Sequence, residues 1–441
     1  MNLGSNNTLL FVMFYVNLIV LKIRFTTNVM KNNLLLSLTL TFFLLSCQEE
    51  PTEIKELPNL PEKSAQLINA DNSFGFQLFR KVTSNEKEVK NITISPLSVS
   101  MALSMAYNGA KNETKVEIEK VLSVSGLTTE QINNSHKALV EALKSYDPDV
   151  KLEIANAIYS DKNFSVLPDF IATNQSYYDA FVQSLDFGNS AEALRIINGW
   201  VAQKTHDKIP TIINEIDPQM VMILLNAIYF NGIWKNKFGE KDTHNLPFYF
   251  ADGTQKDVAT MKLEKSLEYY SNNMFSAVNL PYGNGQFQMT VILPNKEKTT
   301  QNIISELTTD NWNKWIKSFS TETCVVSMPR FKFSFDTELK NILSNIGMTS
   351  AFSPQKADFT GINPDKTKQL YIDQVVHKTY IDVNESGTEA AAVTAIIILT
   401  GSSGEPDPRK FFTVNRPFIF TISEKTTGSI LFIGEIRKPE Y

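Results

Sequence analysis

At 441 residues, with 42% hydrophobic and 20% charged, the chain has an ordinary globular composition and room for two or three average domains or one large one. A formal charge of −5, with Lys and Arg scattered along the chain, argues against nucleic acid as the main partner. The two cysteines, Cys47 and Cys324, are not expected to meet. Cys324, in Thr323-Cys324-Val325-Val326, reads as core filling in a buried strand.

The N-terminal region reads as an address. Met30-Lys31 precedes a short apolar run, Leu34 to Leu45, closed by Ser46-Cys47. A basic start, a short apolar core and a small residue make a secretory signal that is too short to span a membrane well. Leu44-Leu45-Ser46-Cys47 resembles a bacterial lipobox, which implies that Cys47 is lipidated and becomes the mature N-terminus. A plain signal peptide with an incidental cysteine is the alternative. Translation is expected to begin at Met30, with residues 1–29 upstream and 1–47 absent from the mature protein. Residues 48–62, acidic and proline-bearing, read as a tether. The expected location is outside the inner membrane, lipid-anchored in a bacterial outer membrane. Glu49-Glu50 resembles tethers that carry proteins to the cell surface.

Residues 63–441 read as one domain, since nothing within them looks like a linker. Leu67, Phe74, Leu78 and Val82 share one face of a helix over Ser64–Thr83. Ser95-Pro96 is a helix start: a hydroxyl cap, then a residue whose missing N–H costs nothing there. That helix, apolar nearly all round, should be buried and should end near Gly109. Helices follow at Glu113–Leu122 and after the Thr128–Gln131 capping box. A strand is expected at Lys151–Ser160, another after Tyr177, a helix at Ala191–Thr205 and a central strand at Met220–Phe230. Asn-Ala-Ile-Tyr occurs at both 156–159 and 226–229, but the surroundings differ and no repeat is read. Beyond Phe248 the expected strands are 277–280, 288–293, 325–333, 370–383, 418–423 and 430–436. Helices are expected at 303–316 and 337–345. Blocks of helices and strands without βαβ alternation give an α+β class with largely antiparallel sheets.

Catalytic signatures are missing from this pattern. The four histidines lie far apart without metal-ligand spacing, and no Cys pair offers a zinc knuckle. There is no Gly-x-Ser-x-Gly elbow and no Walker-type lysine, and Gly283-Asn284-Gly285 reads as a hairpin turn. The reading is not an enzyme, with no metal and no cofactor. The stretch 384–405 stands out instead. Its front half is rich in helix-favouring alanine, its back half is β-branched, and Gly401 to Gly404 forms a loose tip. Such a stretch is either poorly specified or a switch.

Collinear motifs then resolve the choice. They include Asn91-Ile-Thr-Ile-Ser-Pro-Leu-Ser98, Trp200-Val-Ala-Gln-Lys-Thr205 and Leu225-Asn-Ala-Ile-Tyr-Phe-Asn-Gly-Ile-Trp-Lys235. Leu280-Pro-Tyr282, Met328-Pro-Arg330, Asp358-Phe-Thr-Gly361, Val376-His-Lys378, Asn415-Arg-Pro-Phe418 and Leu431-Phe-Ile-Gly434 extend them. Over about residues 64–441 the chain resembles the serpins. The resemblance implies three β-sheets, about nine helices and an exposed reactive loop at about 384–410. It also implies inhibition of serine proteases: the attacked loop inserts as a strand and carries away the acylated protease. The implied hinge is Glu385, Gly387, Thr388, Glu389, Ala390, Ala391, Ala392, Val393 and Thr394. Strand alternation would bury Thr388, Ala390, Ala392, Thr394, Ile396 and Ile398, and none of the first four is bulky or charged. Residues 387–400, extended at about 3.3 Å each, would span about 45 Å. A polar cluster under the sheet is implied at Ser95, Ser98, Asn226 and His377. Trp234, Arg330 and Glu385 are implied at the loop's entry.

The bait bond stays open at this level. Counting from Gly387 gives Gly401–Ser402, with Leu399 or Thr400 as alternatives. Counting back from Asn415 lands near Pro406, and Arg409 offers a trypsin-like site whose use would leave a much longer loop to insert. The small apolar stretch before Gly401 suits elastase-like or subtilisin-like proteases, and papain-like cysteine proteases as well. The expected partners are therefore such proteases, held in a covalent acyl complex, and a membrane through Cys47. A monomer is expected. A non-inhibitory lipid-anchored binding protein on the same scaffold is the competing reading.

Overall fold

The structure, a computed structural model, describes residues 60–363, 370–388 and 407–441. Cys47, Glu389 to Thr394, Leu399, Thr400, Gly401 and Ser402 therefore lie outside the described residues. Glu56–Tyr441 is one compact unit.

Nine α-helices occur among the described residues: α1 (Ser64–Asn85), α2 (Pro96–Tyr107), α3 (Asn112–Val121), α4 (Thr129–Ser145), α5 (Pro168–Tyr178), α6 (Ser190–Lys204), α7 (Thr300–Glu306), α8 (Thr309–Ile316) and α9 (Lys340–Asn345). The start of α2 forms as its chemistry dictates. The Ser95 hydroxyl accepts the Ser98 N–H at 3.2 Å, and Pro96 occupies the first turn. All of this helix but Ala102 is buried. The Thr128–Gln131 capping box is present at α4.

A six-stranded sheet runs in the order β10 (Phe331–Glu338), β11 (Val376–Asn384), β12 (Gly387–Thr388), β4 (Met222–Ile233), β2 (Val150–Asp161), β3 (Phe181–Leu185). β4 packs on α2 on the inner face, where Ile228, Phe230, Ile381 and Val383 join the main core, and α6 covers the outer face over Tyr159, Leu225 and Ala227. The remaining strands form one hydrogen-bonded set. β1 (Ile92–Ile94), β15 (Ile430–Ile436), β14 (Phe418–Glu424), β8 (Phe287–Pro294) and β7 (Phe275–Pro281) are followed by β6 (Gln255–Ser271), β9 (Ser320–Pro329) and β13 (Lys410–Thr413), with β5 (His244–Tyr249) on β6. Among the described residues hydrogen bonding thus links the strands into two sets, the larger of them joined through β6. The long β6 ladders with β5 and β9 along most of its length, and its last residues, Tyr269 to Ser271, also pair with β7 and join the two groups.

Several sequence-derived spans divide in the fold. The expected strand 325–333 is β9 and β10, which lie in different sheets and break at Arg330. The expected helix 303–316 is two helices, because the Thr308 hydroxyl caps a fresh start by accepting the Asn311 N–H. The span 370–383 becomes strand only from residue 376 on, within β11, and 337–345 begins as the end of β10 before α9. Helix α5 was not read from the sequence at all. Gly283 and Gly285 do turn the β7–β8 hairpin, with φ of +44° and +101°.

Candidate functional site at the entry to the six-stranded sheet

Asn384 ends β11, and the chain turns through Glu385 and Ser386 to run back as β12 between β11 and β4. Gly387 pairs with Asn384 and Ile233, and Thr388 with Val383 and Gly232. Among the described residues β4 and β11 share no ladder with each other, and β12 lies in the gap between them. Gly387 is the residue this crowding demands. Its φ is +152°, and a Cβ there would sit 2.2 Å from the Gly232 carbonyl oxygen. Thr388 points inward and is 3% exposed, its hydroxyl 2.8 Å from that of buried Tyr282.

The turn is held on three sides. The Trp234 indole N–H donates to the Asn384 carbonyl at 2.9 Å. The Trp234 backbone N–H donates to Ser386, and that of Phe238 to Glu385, both at 2.9 Å. The Trp234 ring stacks on Tyr282 at 4.2 Å with 12° between planes. The Glu385 carboxylate, with its side chain 10% exposed, accepts from the Thr243 hydroxyl at 2.7 Å and faces Arg330 at 3.6 Å. Trp234, Arg330 and Glu385, named from the sequence, therefore do meet.

The four residues expected under the sheet also converge, at the start of α2. On the β11 side, the buried His377 Nε2 accepts the Ser95 backbone N–H at 3.0 Å. That bond requires an unprotonated Nε2, and desolvation pushes the imidazole down to about 4. On the β4 side, the Ser98 hydroxyl donates to the Asn226 side-chain carbonyl. One helix start thus holds both strands that border the gap. Asn226 donates onward to Asn156 at 2.6 Å, and Asn156 to the Tyr178 carbonyl at 2.6 Å. Below this point the gap meets a cavity of about 200 Å³, lined by Met222 to Leu225, Val375, Val376 and the α2 residues Ala102, Leu103 and Ala106.

Sequence reasoning gave no role to Tyr282, Thr243 or Asn156. Tyr282 lay within a quoted motif, and Thr243 carried no signal. Asn156 had one in the repeated Asn-Ala-Ile-Tyr. In the antiparallel ladder of β2 and β4 the first residues of the two copies are register partners, Asn156 opposite Asn226. Cys324 is a free, fully buried thiol pushed up to about 11 by burial, an inert core residue.

A family model described as serpin (serine protease inhibitor) matches residues 69–439. The chain belongs to the serpin family. This serpin is 34% identical over 379 residues to a serpin-like protein of Methanosarcina acetivorans, covering 85% of this chain and 87% of the other. It is 32% identical to the human leukocyte elastase inhibitor, covering 85% of this chain and all of that protein. Among solved structures, the native state of the thermophilic serpin tengpin superposes with a TM-score of 0.78 at 32% identity, over 86% of this chain and 95% of tengpin. Thyroxine-binding globulin in complex with thyroxine superposes at 0.77 with 26% identity, over 85% of this chain and all of that one.

Proposed function

We propose that this serpin inhibits serine proteases by trapping them on its own loop, with elastase-like and subtilisin-like enzymes as targets and papain-like cysteine proteases as a second class. The observation that carries this reading is β12: its two residues stand between β4 and β11, and below them no strand joins β4 to β11 among the described residues. Continuing the observed register would set Thr394 opposite Asn226 on one side and His377 on the other. It would set Ile398 opposite Met222, the first residue of β4. In this reading the protease nucleophile attacks the Gly401 carbonyl and expels the Ser402 amine. The acylated loop then extends β12 down the slot faster than water cleaves the acyl bond. Gly401 lies three residues past the slot's end and Pro406 eight, which favours the count made from the hinge.

Incubation of the mature protein with elastase, subtilisin, papain and trypsin tests this. An SDS-stable complex with elastase or subtilisin is expected, together with a released fragment beginning at Ser402. Cleavage at the loop without a stable complex would overturn inhibition. That outcome would favour the second reading, a non-inhibitory binding protein, for which the likeness to thyroxine-binding globulin is the supporting observation.

The proposal extends to location. The lipobox-like Leu44–Cys47 supports secretion and lipid anchoring at Cys47, with residues 48–62 as tether. Cys47→Ala is expected to move the protein from the membrane fraction to the soluble fraction, and unchanged membrane association would refute the anchor.

A further inference from the structure

Tyr441 lies outside every motif that carries the family likeness, yet it sits against the loop's entry. Its ring covers the Arg330 guanidinium at 4.5 Å, and the Lys332 ammonium lies 5.9 Å from the same ring. The ring is held there by main chain, because the Lys332 N–H donates to the Glu440 carbonyl at 2.7 Å. Tyr441 is nevertheless 57% exposed, so packing into the core does not explain its position.

Arg330 needs such a support. Its backbone sits at the break between β9 and β10. Its Nε is buried with no hydrogen-bond partner among the described residues, and its contact with Glu385 is a loose 3.6 Å. Lys332 cannot take its place beside Glu385, being engaged with Asp382 at 3.3 Å. A guanidinium left to solvent would have rotamers leading away from the site. The Tyr441 face, attracting the cation, selects the one that points at Glu385.

We propose that Tyr441 is a positioning residue of the hinge: its ring fixes Arg330 toward Glu385 and so keeps the 384–388 turn seated in the sheet. The proposal rests on the reading of β12 as the hinge, but the seating can be measured without any protease. Hydrogen exchange is followed by mass spectrometry on the purified full chain, comparing Tyr441→Ala and Tyr441→Phe with the wild type. Tyr441→Ala should speed exchange in peptides covering 384–388 about two- to fivefold, the weight of an exposed cation–π contact, and leave β14 and β15 unchanged. Tyr441→Phe keeps the ring but removes the hydroxyl that interacts with the Asn384 side chain, so it should exchange closer to the wild type than to Tyr441→Ala. The expected effect of Tyr441→Ala on inhibition is a similar two- to fivefold rise in the serpin consumed per protease trapped. Unchanged exchange at 384–388 in Tyr441→Ala, or equal loosening in Tyr441→Phe, would overturn the proposal. If no protease is trapped by the wild type while the exchange pattern holds, the inhibitory reading fails and the positioning role stands.

Discussion

His377 shows how a single side chain ties the sheet to pH. Buried beside the start of α2, it is held neutral by desolvation, its affinity for a proton lowered from an ordinary value near 6.5 to about 4. The unfolded chain therefore takes up a proton that the fold refuses between those two values. Stability is complete above about pH 6.5 and falls as pH drops toward 4, by on the order of 3 kcal/mol at about 1.4 kcal/mol per pH unit. Denaturant unfolding at stepped pH should show that decline, and His377→Gln should flatten it. An identical slope in the variant would mean that other groups carry the effect. The resemblance pointed to this residue by number, but not to its partner. The histidine accepts the Ser95 backbone N–H, while Asn226 across the gap bonds to Ser98.

At the scale of elements, the proposed hinge begins in a two-residue strand, β12, whose fit is already tight. Thr388 meets the Tyr282 hydroxyl, and burial of both leaves no room for charge. Thr388→Arg would force a long charged side chain into the buried space beside the Tyr282 hydroxyl, so β12 should not extend and the serpin should become a substrate. Loss of the SDS-stable complex with loop cleavage retained is the expected result, and retained trapping would refute the hinge assignment. The elements that were misread share a physical cause. In the span 325–333, Val325, Val326 and Met328 before Pro329-Arg330 and Phe331 and Phe333 after it give one continuous strand-like pattern, which does not show that the chain passes from one sheet into another at Arg330. The helix at 303–316 was read through Leu307-Thr308 because the apolar spacing continues across the break, while the decisive event is a local side-chain cap. By contrast, α2 and α4 were legible because their caps are spelled in consecutive residues.

For the whole molecule, the gap between β4 and β11 means that, among the described residues, facing stretches of the two strands share no backbone hydrogen bonds and a cavity lies between them. Filling the slot with about ten further residues adds ladder bonds at about 1 kcal/mol each and buries the inward isoleucines. The intact protein would then be held kinetically rather than at its free-energy minimum. Nicking the loop with a protease that the serpin does not trap should raise the thermal midpoint by more than about 10 °C. An unchanged midpoint would show that the loop does not enter the sheet.

The sequence by itself determined the α+β class, the buried α2 with its cap, and, through collinear motifs, the family and the residues that meet at the entry and under the sheet. These depend on local chemistry or on order along the chain, which a sequence displays directly. Only the tertiary structure decided that β12 stands between β4 and β11, that Asn156 links Asn226 to Tyr178, and that Tyr441 covers Arg330. Each of these joins residues from distant parts of the chain. Strand order and side-chain rotamers, not spacing, set which of them touch.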